Sequence, residues 1–351
     1  MRRLATPIAA LALTLALAAP TLACGGLIGP NGAVNLLRTT TLAGYHDGVE
    51  HYVTAFEFAG GGGAFGSITP LPGVPSSVVR GGDWTLQRLV RETNPPDFFA
   101  FEAAGAAAPR AVVLQQVRID ALDITILKGG GAEIGVWAKE HGFSLPPDAP
   151  EVLDFYANRS PIFMAASFDA DAAAERGQAI GDGTPVHLTI PTDNPWVPLR
   201  ILALGKSAGE SVQADVYLLT DDQPALLPAP GSKLADGGLR LAHSDAASPE
   251  LLTDLRTDEG MEWVPDTAWL TKVEIDAAAA SLRFDLAIDA SGAGEPSVRD
   301  AGFAPFGPLP APPSWTPLWV ALLAVSLAIP LGGAWLLALG TRNSGGRPLA
   351  G

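Results

Sequence analysis

One cysteine, three methionines and five lysines are all that this 351-residue sequence holds of those residue types. With Cys24 as the only thiol, no disulfide can form within the chain and no Cys-rich zinc site can be built. Charge is scarce as well: 17% of residues are charged, and 22 Lys+Arg stand against 37 Asp+Glu, for a net charge of -15. There is no basic run, so nucleic acid and anionic membrane surfaces, which need a cationic patch, are excluded as partners. Apolar residues are what the chain has in plenty. At 48% hydrophobic and a mean hydropathy of +0.23, general disorder is excluded, and a globular body with membrane-directed segments is expected.

The ends predict where the body resides. Arg2 and Arg3 precede an apolar stretch from Ile8 to Ala19, Pro20 breaks it, and Thr21-Leu22-Ala23 ends on a small residue, so residues 1–23 read as a secretory signal. Twelve apolar residues cover only about 18 Å of helix, too short for a ~30 Å hydrocarbon core. Cys24 directly after Leu22-Ala23 has the position of a lipid-bearing first residue, with Thr21 where a lipoprotein box prefers Leu; ordinary cleavage leaving a thiol is the other reading. Near the other end, Pro317 to Leu339 runs 23 residues without a charge, flanked by Trp315, Trp319 and Trp335, which predicts a transmembrane helix within 315–340. Arg342 and Arg347 follow with no acid, placing the tail 341–351 in the cytoplasm and everything before the span outside. Without the four terminal arginines the remainder carries 18 basic residues against all 37 acidic ones.

Between the ends, strands dominate. Thr39–Ala43 and Val49–Phe58 flank Asp47-Gly48, a strong two-residue hairpin signal. Further strands are expected at Phe65–Thr69, Val112–Arg118, Ile124–Leu127, Ile162–Phe168, Val186–Ile190, Leu199–Leu204, Val212–Leu219 and Leu282–Ile288. Helices are expected from an Asp83 cap through Arg91, at Ala132–His141, Glu151–Asn158 and Pro249–Arg256. The fold class is α+β, a strand-rich extracytoplasmic body over 24–289, as one unit or as two sublobes joined near 170–183. Residues 290–314, rich in Pro, Gly and Ala, read as a stalk.

Several segments together resemble a family of exported bacterial domains of unknown function. They are Ala23-Cys24-Gly25-Gly26, Phe65-Gly66-Ser67-Ile68-Thr69-Pro70-Leu71-Pro72, the Trp137 helix through His141-Gly142-Phe143-Ser144-Leu145-Pro146 to Phe155-Tyr156, Trp196-Val197-Pro198-Leu199-Arg200, Leu219-Thr220-Asp221 and Trp269-Leu270-Thr271. The resemblance implies an exported domain, often followed by a membrane anchor, and carries no activity, cofactor or catalytic residue with it.

The densest ligand cluster is His46-Asp47-Gly48-Val49-Glu50-His51. Across a two-residue turn both imidazoles project from one face, opposite Tyr52 and Phe56, and are expected toward solvent as metal candidates lacking a third ligand. Gly205-Lys206-Ser207-Ala208-Gly209 matches the serine-hydrolase elbow, but a strand rather than a helix is expected after it. Gly129-Gly130-Gly131 between a strand and a helix has the shape of a phosphate cradle, yet Ile134 stands where a dinucleotide loop needs glycine. Asp169, Asp171 and Glu175 lack calcium-loop spacing, Asn158-Arg159-Ser160 is a formal glycan sequon, and His141, His187 and His243 are isolated. No catalytic residue is assigned and neither cofactor nor nucleotide is implied. The expectation is a membrane-anchored, non-catalytic binding or scaffolding domain with an envelope partner; the alternative is an envelope hydrolase or metal-dependent enzyme.

Overall fold

The computed structural model describes residues 26–29, 32–33, 39–56, 66–93, 112–169, 184–231 and 238–303. The expected signal segment, Cys24, Asp171, Glu175, the joint near 170–183, the span 315–340 and the tail 341–351 lie outside the described residues. Among those described, no helix is long and apolar enough to cross a membrane.

All the described residues belong to a compact unit, Met1–Ala304. Its strands are β1 (Gly26–Gly29), β2 (Gly32–Ala33), β3 (Thr39–His46), β4 (Val49–Phe56), β5 (Gly66–Leu71), β6 (Ser77–Arg80), β7 (Val112–Ile119), β8 (Leu122–Lys128), β9 (Ile162–Phe168), β10 (Thr184–Pro191), β11 (Trp196–Val197), β12 (Ser211–Thr220), β13 (Ala225–Leu227), β14 (Leu239–Ala246), β15 (Trp269–Ala278) and β16 (Leu286–Asp289). The helices are α1 (Thr85–Thr93), α2 (Gly131–Glu140), α3 (Ala149–Ala157) and α4 (Pro249–Arg256). A six-stranded antiparallel sheet runs β2-β1-β5-β9-β8-β7, a seven-stranded sheet runs β14-β15-β12-β3-β4-β10-β6, and β11-β16-β13 form a third. In the seven-stranded sheet β12 and β3 pair in parallel and the other neighbours are antiparallel. The body is thus the strand-rich α+β fold expected.

Period-two patterning decides the faces. Leu42, Val53, Tyr217, Leu219 and Leu270 occupy one face of the seven-stranded sheet and form a core with Leu86 and Leu89 of α1 and Leu251, Leu252 and Leu255 of α4. The Ser248 hydroxyl accepts the Leu251 N–H at 3.1 Å to cap α4, and Arg88 ties the two helices by meeting Asp254 at 2.8 Å. The cap expected from Asp83 comes from elsewhere. Buried Asp258, just beyond α4, accepts the backbone N–H groups of Asp83 and Trp84 at 3.0 Å each and the Thr85 hydroxyl at 2.8 Å, while the Asp83 side chain turns to Arg80.

Two expected strands are different. Leu199–Leu204 contains a 3-10 turn at Arg200–Ala203, because the N–H groups of Leu199 and Arg200 go to Asp285 (2.7 and 3.0 Å) and that of Ile201 to the Tyr156 hydroxyl (2.8 Å). Within Leu282–Ile288 only the end is strand, since Asp285 is drawn into that same network. Residues 297–303, inside the expected stalk, fold back on the body. Ala301 is fully buried and its carbonyl accepts the Asp285 N–H at 3.1 Å.

Candidate functional site

The β3–β4 hairpin turns at Asp47 and Gly48, whose φ angles of 49° and 76° are the left-handed pair that a two-residue turn needs. That register places Gly44 opposite His51 and Tyr45 opposite Glu50. On the far side of β4, His51 pairs with Thr189 and Val53 with His187 of β10. His51 and His187 therefore lie diagonally on one face, and His51 Nδ1 stands 3.0 Å from His187 Nε2.

This face is covered. The Trp263 ring, from the segment after α4, stacks on His51 with centroids 4.0 Å apart and planes 3° apart, and lies 5.9 Å from the His187 ring. Gly44 makes room for it: a Cβ there would come within 2.1 Å of the Trp263 ring, which explains a glycine inside a strand. The same segment is held by the Asp258 cap and by Arg256, which donates to the Pro265 carbonyl at 2.8 Å. Burial pushes His51 down to about 3, helped by the neighbouring His187 and His46, and pushes His187 down to about 4. Both imidazoles are neutral at neutral pH.

The expectation that His46 and His51 face solvent together is met only for His46. Half-exposed His46 pairs through Nδ1 with Asp221 at 2.6 Å and through Nε2 with Asp47 at 3.4 Å. His51 turns instead to His187, read from the sequence as isolated. Among the described residues no group of three or more His, Cys, Asp and Glu is arranged to hold a metal ion.

Glu50, the residue before His51, points to the opposite face and is completely buried. The Trp196 backbone N–H acts on its carboxyl, yet among the described residues neither oxygen has a partner in full hydrogen-bond geometry. Desolvation pushes the carboxyl up to about 8. Buried Thr41 and Thr54, opposite each other on the same face, also have hydroxyls without a partner among the described residues.

The other motifs serve the fold. Gly130 N–H goes to Glu133 at 2.7 Å and Gly131 N–H to Asp154 at 3.1 Å, so carboxylates occupy the donors that a phosphate would use. In the Ser207 loop, Gly205 N–H goes to Asp148 at 3.0 Å and Ser207 N–H to Glu210 at 3.2 Å, and β12 follows directly. Asp169 pairs with Arg118. His141 contacts the Trp137 carbonyl at 2.8 Å through Nδ1 and stacks on its ring at 3.8 Å. In the formal sequon, Asn158 donates to the Asp154 carbonyl at 2.7 Å, while Arg159 and Ser160 are buried.

Sequence reasoning missed His187, Trp263 and Glu50 as a group. The signal available was Gly44, a lone glycine in a strand pattern, which marks a close approach by another element.

Among solved structures, the chain is similar to a mutated baculovirus P35 after caspase cleavage, at 7% identity over 73% of this chain and 98% of that chain, with a TM-score of 0.40. Baculovirus P35 itself matches at 10% identity over 72% and 96%, with a TM-score of 0.38. At such TM-scores these likenesses say nothing further about this chain. A comparison with curated proteins gave no match. A family model does match, over residues 18–288, and the chain belongs to that family, DUF2330, described as an uncharacterized protein conserved in bacteria.

Proposed function

We propose that this protein is exported and membrane-anchored, and that its strand-rich body is a non-catalytic binding or scaffolding domain outside the cytoplasm. The observation that carries the reading is the 23-residue uncharged run Pro317–Leu339, bounded by tryptophans and followed by Arg342 and Arg347 without an acid. The basic, apolar and small-residue order of residues 1–23 supports it from the other end. The acidic, lysine-poor body suits a soluble domain held near an anionic surface without adhering to it. Its motif-bearing loops support binding over catalysis, because the Ser207 and Gly130 N–H groups are engaged by Glu210 and Glu133 rather than aimed at an open site.

Protease added to intact spheroplasts tests the topology. The body should be digested while a tag on Gly351 stays protected; a digested tag together with a protected body would reverse the orientation and end the proposal.

A further inference from the structure

We propose that the cavity bordered by the start of α3, the Arg200–Ala203 turn and residues 279–283 binds a small organic carboxylate, with Arg283 holding the carboxylate group. This goes beyond the anchored-domain reading and does not rest on it. The walls of the cavity are tied to one another through the backbone. The Asp148 carboxylate, at the start of α3, accepts the Gly205 N–H at 3.0 Å, the Ala203 carbonyl accepts the Lys206 N–H at 3.1 Å, and the Ala208 carbonyl accepts the Ala280 N–H at 3.1 Å. The cavity is therefore formed before a ligand arrives, which removes an ordering cost from binding.

Charge decides the class of ligand. The chain as a whole has 22 basic residues against 37 acidic ones, but this cavity reverses the balance: Arg200, Lys206 and Arg283 line it together with Asp148 and Glu151. Both acids are engaged, Asp148 by Gly205 and Glu151 by Arg200, so a cationic ligand would compete for carboxylates already in use. Lys206 is paired as well, with Glu210 at 2.7 Å. Arg283 differs: it donates through Nε to the Ala280 carbonyl at 3.1 Å and, among the described residues, meets no acid. That bond orients the guanidinium and leaves its two Nη groups as a fork, which matches the two oxygens of a carboxylate.

Size and walls select among anions. The cavity holds about 230 Å³, below the ~300–1,000 Å³ of pockets for drug-sized molecules, so its ligand is small. Beside the cations it is lined by Val152, Ala203, Ala279 and Leu282, of which Val152, Ala279 and Leu282 are buried parts of the fold. Inorganic phosphate has nothing to place against such walls, whereas a carboxylate with a short alkyl chain gains from each CH₂ it removes from water there.

The test uses the full chain in non-ionic detergent with trifluorobutyrate as the probe, read by fluorine NMR line broadening. The broadening should saturate, butyrate should displace the probe at about a tenfold lower concentration than acetate does, and inorganic phosphate should leave it bound. Arg283→Gln should weaken probe binding at least about tenfold. Arg91→Gln, at an exposed arginine of α1, should leave it unchanged. Broadening that does not saturate, equal displacement by butyrate and acetate, displacement by phosphate as effective as by butyrate, or binding that Arg283→Gln alters no more than Arg91→Gln does would each overturn the assignment. Should Arg283→Gln fail to fold by circular dichroism, the competition series on the unaltered chain decides by the same outcomes.

Discussion

Two buried polar regions of this body are built on opposite terms. Around Asp285 the opposite charges are paired: Arg159 meets its carboxylate, which also accepts from the Tyr156 hydroxyl at 2.8 Å and from two backbone N–H groups, and Arg159 Nε is the one atom of this group without a partner among the described residues. The Arg159 guanidinium further lies 4.3 Å over Phe155 and 4.7 Å over Trp196. Along β4, by contrast, Glu50 is buried and, among the described residues, without a full partner, and His51 meets another imidazole and an indole. A matched charge pair locks α3, the 3-10 turn and the approach to β16 into one arrangement. An unmatched group leaves its protonation state to desolvation, so Glu50 on β4 makes stability depend on pH.

The largest effect should come from breaking the matched region. Asp285→Ala leaves a buried guanidinium uncompensated and frees three donors, and should cost about 3–5 kcal/mol in denaturant unfolding. A loss below about 1 kcal/mol would erase the contrast between the two regions.

Glu50→Gln should act in the opposite direction, and only in a defined window. Folded Glu50 holds its proton up to about 8, above its ordinary value of 4.5. The folded chain thus keeps a proton that the unfolded chain releases, and the stability this contributes below pH 4.5 is lost as pH rises through about 8. Glutamine cannot ionise, so the variant should escape this loss, worth up to about 1.4 kcal/mol per pH unit. Parallel stability–pH curves for the two chains between pH 4.5 and 8 would refute the burial of Glu50.

Ser207→Ala marks the small end. Ser207 lies in a loop whose N–H goes to Glu210, so stability should change by no more than about 0.5 kcal/mol. A fluorophosphonate probe should not label the chain there. Labelling abolished by the substitution would make the loop a nucleophile site.

How much of this was legible follows the range of each interaction. The Asp47-Gly48 hairpin, the apolar strand Ile162–Phe168 and the Pro249–Arg256 helix are written in neighbouring residues, and the structure has them in place. β14 escaped notice because its LRLAHSDA segment carries charge and histidine, and β15 because TKVEID places polar residues on a face that the fold buries. Leu199–Leu204 read as a strand because an apolar run does not distinguish a buried strand from a buried turn; Asp285, more than 80 residues away, makes the choice. The His51–His187 contact spans 136 residues and depends on the β4–β10 register, which no local pattern encodes. The Asp258 cap on α1 spans more still, 173 residues from Thr85.

The most direct test of the β4 account is a pH titration by NMR of the Glu50 side-chain carboxyl carbon and the ring nitrogens of His51 and His187 in one sample. Adjacent residues on opposite buried faces should titrate far apart and in inverted order, Glu50 near 8 and the two imidazoles still neutral at pH 5. A Glu50 carboxyl that ionises near 4.5, with imidazoles that protonate near 6.5, would show both faces of β4 to be open to water and would contradict the account.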